Sequence, residues 1–289
     1  MSDNYLWEVV SAVITTLGLL AIVKEIARNK NHKIMVDLGL RSIAYCQRVI
    51  TKCQQHRGIS NAVLQGNIEL KRDLITTQRE LDKLIQEGIT LGLDKFPQWE
   101  SFIEHWSRLK IHALDRDLSS QNLLRQHNIM IDGQLSLFED ITIYNDLQWI
   151  MLNDSLHLSQ VCLDTLRVVE SIAQSRGIGT GICAKGYSEG IEQISLNFLK
   201  VSISSPINNM LNEFSSVDDQ NLSAQLKKSS KQIKESVDKL IDVIEYQVLA
   251  DDGVKIGAAE YFAVATKPIE ELLSVFQYLV DSALQQPEI

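Results

Sequence analysis

"VDLGLRSIAYCQRVITKCQQHRGISNAVL", residues 36–64, steps by three and four through Val36, Gly39, Ile43, Cys46, Ile50 and Cys53, meets Arg57, and resumes at Ser60 and Leu64. That spacing follows one face of a helix and cannot keep to one face of a strand. A stripe of this kind turns toward a core, so Arg57 is carried inward with it. From residue 34 onward the same periodicity recurs, and no alternating run with a hairpin signal interrupts it. The expected fold class is all-α: long antiparallel helices forming one or two packed bundles, with an N-terminal membrane helix. Helices are expected at about 34–65, 69–87, 97–128, 134–151, 154–200 with a break near the glycines at 177–181, 206–215, 219–249 and 256–284. Gly92 and Pro97 mark one stop and start, and Ser205 and Pro206 read the same way.

The 289 residues, 45% hydrophobic and 22% charged with four prolines, suffice for a large ordered core of one or two domains. A net charge of −9, with no run of basic residues among aromatics, lacks the electrostatic footprint of nucleic-acid binding. Cys46, Cys53, Cys162 and Cys183 form no CxxC pair and fall on apolar positions of helical patterns, as small hydrophobes in a reducing compartment do.

Ahead of the bundle, "LWEVVSAVITTLGLLAIV" at 6–23 is 18 residues long with one charge, Glu8. This is about the minimum for crossing a hydrocarbon layer of roughly 30 Å. Lys24, Arg28, Lys30 and Lys33 follow it, whereas Asp3 and Glu8 flank its start. The positive-inside rule then places the rest of the chain in the cytoplasm, as a single-pass protein of the cell inner membrane. Basic residues after the apolar run, and no small-residue cleavage site, are unlike a signal peptide. The alternative is a buried or amphipathic helix, since Ser11, Thr15 and Thr16 temper the apolar character. The expected division is 1–33 as anchor and basic flank and 34–289 as the helical domain.

The Arg57 neighbourhood is written twice. "QHRGISNAVLQGN" at 55–67 and "QSRGIGTGICAKG" at 174–186 align without a gap at an offset of 119, matching Gln55 with Gln174, Arg57 with Arg176, Gly58 with Gly177 and Ile59 with Ile178. The second copy lies on the stripe Leu158, Cys162, Thr165, Val169, Ile172, Arg176, Gly179, Cys183, so Arg176 also points inward. An inward guanidinium costs several kcal/mol in desolvation unless something anionic meets it. Either internal carboxylates supply the charge, or both arginines converge on one small anion. A planar fork of donors suits a planar or tetrahedral oxyanion, and glycines at 58 and 177 would permit a close backbone approach.

At these residues, and in "AAEYFAVATKPIEELLSVFQYL" at 258–279 with Phe262, Thr266, Ile269 and Leu272 at helical spacing, the chain resembles the nitrate- and nitrite-sensing domain family of bacterial receptors. The resemblance spans about residues 35–285. It implies an all-helical sensor whose arginines hold nitrate or nitrite between helices, with Arg57 and Arg176 at the matching positions. His56, Gly58 and Gly177 complete the expected ligand-binding set. Two features depart from the pattern: His56 stands where a further cation would strengthen the site, and the closing helix carries Lys267 and no arginine. No helix-turn-helix, kinase, methyl-accepting or RNA-binding segment is recognisable, so the output is expected from a separate protein. A homodimer is compatible with the reading.

Other chemistry is thin. The six histidines include no HExxH, and His105 and His112, seven apart, read as a half-exposed helix face; no metal is expected. "GIGTG" at 177–181 follows a helix and lacks Lys-Ser/Thr, so it is a packing or kink signal and no phosphate loop. With no nucleophile motif and no paired carboxylates, neither enzyme activity nor a cofactor is expected. A scaffold on the membrane face, its arginines satisfied internally, is the competing function.

Overall fold

A computed structural model describes residues 2–217 and 219–285, with the side chains at 2–6 and 8–14 outside the description. Eight helices are present among the described residues: α1 (Ser2–Leu64), α2 (Lys71–Thr90), α3 (Pro97–Asp115), α4 (Ser120–Tyr144), α5 (Leu158–Lys185), α6 (Gly190–Phe214), α7 (Gln220–Val243) and α8 (Ala258–Gln285). Helix α1 packs on α2 and α4, and α3 on α4; α5 packs on α6 and most extensively on α8, and α7 joins α6 to α8. The chain therefore builds two four-helix units in succession, sharing one continuous core and meeting through α1, α4, α5 and α8. The repeated phrase now has a structural place. Arg57 lies near the C-terminal end of the first helix of the first unit, and Arg176 near the C-terminal end of the first helix of the second.

Local chemistry sets the boundaries. Gly92, at φ 71°, ends the turn after α2, and Pro97 opens α3, where its missing N–H costs nothing. The expected helix 97–128 is two helices: Arg116 turns left-handed at φ 58°, and Ser119 caps α4 by accepting from Asn122 N–H at 3.3 Å. The break expected at 177–181 instead falls at 186–189. Gly186 takes φ 78° there, and a reciprocal Glu189–Glu192 capping box starts α6, so the glycines at 177–181 stay helical. Pro206, expected to start a helix, lies inside α6. Among the described residues the only strands are a small antiparallel pair, β1 (Met151–Asn153) with β2 (Leu156–His157), leading into α5.

Helix α1 runs unbroken through residues 24–34, and every residue from 15 to 34 is exposed. At 1.5 Å per residue that arm is about 30 Å long, and it presents Leu17, Leu19, Leu20, Ile22, Val23 and Ile26. Among the described residues no helix is long and apolar enough to cross a membrane. Of the expected span 6–23, the side chains of Leu6 and of residues 8–14 lie outside the described residues.

Candidate functional site

Where α1 passes α5, Arg57 is 5% exposed and grips one carboxylate. Its Nη1 donates to Glu170 Oε1 at 2.5 Å and its Nη2 to Oε2 at 3.2 Å, a two-pronged contact between planar groups. Glu170 is only 6% exposed at its side chain and accepts two further bonds, from Gln54 Nε2 at 2.9 Å and Gln174 Nε2 at 2.7 Å. Arg57 Nη1 also donates to Asn128 Oδ1 on α4 at 2.7 Å. The charge pair is thus enclosed by amides from three helices. Such dressing is what a buried pair requires to offset its desolvation. Nearby on α4, burial and then the charge of Glu170 raise the Asp132 carboxyl above its usual range, while Arg57 opposes the shift.

Arg176 is held differently. It is half-buried, donates from Nη1 to the Thr266 hydroxyl at 3.0 Å, and lies over the Phe262 ring at 4.8 Å. Thr266 in turn donates to the Phe262 carbonyl at 2.8 Å, so its hydroxyl is oriented to receive the arginine. Among the described residues no carboxylate forms an ion pair with Arg176. Burial, then the charge of Arg57, push the Arg176 guanidinium's pKa below its ordinary value; Glu170 and Glu270 oppose the shift. The two guanidiniums therefore lie close enough for their charges to oppose each other; of the carboxylates nearby, Glu170 pairs with Arg57, while Asp132 and Glu270 form no ion pair with either guanidinium among the described residues. One turn after Arg176, the buried Thr180 hydroxyl has no protein partner.

The other expected site residues fall elsewhere. His56, fully buried, turns away from Glu170 into its own chain of hydrogen bonds: Nδ1 to His127 Nε2 at 2.7 Å, and Nε2 to Gln78 Nε2 at 3.2 Å. His127 Nδ1 faces the Leu123 carbonyl at 2.8 Å and must donate to it. Its Nε2 then accepts from His56 Nδ1–H, and His56 Nε2 accepts from Gln78, so both rings are neutral. Burial lowers His56 to about 3, and burial followed by the His56 charge holds His127 well below its usual value. His56 is thus an uncharged packing residue edge-on to Trp106 at 4.8 Å. Gly58 and Gly177 are exposed, and a methyl on either would meet nothing within 4 Å. The close approach occurs at Gly179, where a methyl would overlap the Tyr261 ring, itself fixed by its hydroxyl on the Ser175 carbonyl at 3.0 Å.

Glu170 escaped the sequence reading, although a signal for it exists: Leu163, Leu166, Glu170 and Ala173 form a second buried stripe on α5 in which the acid interrupts apolar residues as Arg57 does on α1. Gln54 and Asn128 carry no such mark. His105 and His112 do share a face, lining an open pocket of about 380 Å³ with Arg108 and Gln126, and His112 pairs with Asp117 at 2.9 Å. No group of side chains able to hold a metal occurs among the described residues.

Set against known proteins, the architecture has a counterpart. The chain is similar in fold to the NasR transcription antiterminator. The two superpose with a TM-score of 0.68 at 16% sequence identity, over 91% of this chain and 73% of that one. At that identity the likeness is one of fold. No family model and no curated protein matches the sequence.

Proposed function

We propose that this chain is a sensor or binding module for a small oxyanion, with nitrate or nitrite as the ligand. It passes a change of helix packing to a separate output protein. The observation that carries the reading is the unequal pairing of two neighbouring guanidiniums on α1 and α5: Glu170 is committed to Arg57, whereas Arg176 is held only by a hydroxyl and a ring, with no carboxylate in ion-pair contact among the described residues. The fold likeness and the family resemblance point the same way.

In this reading the anion enters beside Arg176 and competes with Glu170 for Arg57. Nitrate, nitrite and carboxylate all present oxygens in a plane, so the donors that hold Glu170 suit them equally. Arg57 lies on α1, Arg176 on α5 and Thr266 on α8, so a bound anion ties three helices together. Exchanging an internal carboxylate for a free anion shifts α5 against α1 by an ångström or two, a motion helix interfaces transmit. In this reading the module binds an anion and does no chemistry. Residues 6–23 anchor it in the inner membrane with the bundles in the cytoplasm; the wholly exposed arm of α1 supports this.

The closed Arg57–Glu170 pair favours a second reading, a membrane-anchored scaffold without a ligand. Thermal melting separates them. A ligand that binds only the folded state raises the melting temperature by mass action. Nitrate or nitrite, against equal chloride, should raise that of the full chain in non-ionic detergent but not that of Arg176→Ala. Equal melts in every anion leave the scaffold.

A further inference from the structure

Helix α6 turns a line of large apolar side chains to the outside. Ile191, Ile194, Phe198 and Val201 are 62%, 72%, 69% and 66% exposed. Their spacing of three, four and three is the seam of a two-helix contact, where each side chain fits between those of a facing helix. The core-facing residues of the same helix, Leu196, Leu199, Ile203 and Ile207, are buried against the second unit, so α6 is apolar on two sides and only one of them is covered.

We propose that two copies of this chain associate through this face of α6 about a two-fold axis. The proposal goes beyond the anion site and does not depend on it. Three observations select a second copy as the occupant. First, the residues flanking the seam are Ser195, Asn197, Ser202 and Ser204, all uncharged, so a copy laid on its own image meets no like charge. Second, the two charges nearest the seam are already neutralised within the chain: Glu192 by Lys185 at 2.7 Å, and Lys200 by Glu245 at 3.1 Å.

Third, the four side chains together leave on the order of 500 Å² exposed per copy, the larger part of the roughly 800 Å² each partner contributes to a stable interface. A patch of this size is also at the upper end of the few hundred Å² a monomer ordinarily leaves uncovered.

Sedimentation equilibrium of the full chain in non-ionic detergent, which covers the exposed arm of α1, tests the proposal. A concentration-dependent dimer is expected. Phe198→Asp and Ile194→Asp should each raise its dissociation constant by at least about 100-fold, because charges would be buried in pairs across the axis. Their far-UV circular dichroism should stay unchanged, since both side chains are exposed in one copy. Leu20→Asp on α1 should leave the dimer intact. On a Cys183→Ser background, Asn197→Cys should cross-link to its own copy under mild oxidation, because the middle of a two-fold seam meets itself. A monomer at every concentration, a dimer that survives Phe198→Asp, or an Asn197→Cys chain that does not cross-link overturns the proposal, leaving the face to a foreign helix or to lipid.

Discussion

Cutting the Arg57–Glu170 pair from either side should have unequal consequences, and the hydrogen bonds say which side costs more. Removing one partner of a buried ion pair destabilises by about 3 to 5 kcal/mol, because the other charge is left behind. After Arg57→Met, Glu170 keeps two donors, Gln54 at 2.9 Å and Gln174 at 2.7 Å, so the loss belongs at the lower end, about 3 kcal/mol. After Glu170→Leu, Arg57 keeps one acceptor, Asn128, and the loss belongs at the upper end, about 5 kcal/mol. In the double variant no charge is stranded. It should be more stable than Glu170→Leu alone, giving a coupling of about 3 kcal/mol or more where independent sites would add. Urea unfolding of the full chain in detergent reads all four corners of the cycle. Losses below about 1 kcal/mol that simply add would mean that the pair is solvated and the reasoning about its burial is wrong.

Two glycines of the repeated phrase should respond with opposite sign. Gly177→Ala meets nothing and removes chain entropy from the unfolded state, so it should stabilise by about 0.5 to 1 kcal/mol, whereas Gly179→Ala drives a methyl into Tyr261 and should cost about 1 to 3 kcal/mol in a thermal or urea melt. Acid should weaken the fold through His56 and His127. Their folded values lie below the unfolded value of about 6.5, so between pH 6.5 and about 3 the unfolded chain binds protons that the folded chain refuses. Stability from this source is complete above pH 6.5 and falls with pH by up to about 1.4 kcal/mol per unit for each ring, with His105 adding in the same direction. Urea midpoints that agree at pH 7.5 and pH 5 would contradict the neutral assignment.

The helical class was legible because it rests on periodicity, which the stripe through Arg57 carries over nine positions. Boundaries were less so. Pro206 was read as a start because proline suits a first turn, yet tertiary packing of Ile203, Ile207 and Met210 holds α6 together across it. The inward path of Arg57 followed from the same stripe, but its partner did not: Glu170 is 113 residues away, and only the crossing of α1 with α5 brings them together. Glycine after arginine suggested a close approach because glycine permits one; here the permission is used two residues later, at Gly179. His56 was expected in the ligand-binding set beside Arg57, but neighbours on a helix point about 100° apart, so it faces Trp106 and His127 instead.

The central claim, that an anion and Glu170 compete for one set of donors, is tested most directly by calorimetric titration of nitrate into the full chain and into its Glu170→Ala variant. The account predicts one site per chain in both, with tighter binding in the variant, where the internal competitor is gone and Arg57 faces the site unpaired. No heat from the wild-type chain and none from the variant, with a variant that remains folded by circular dichroism, would contradict it.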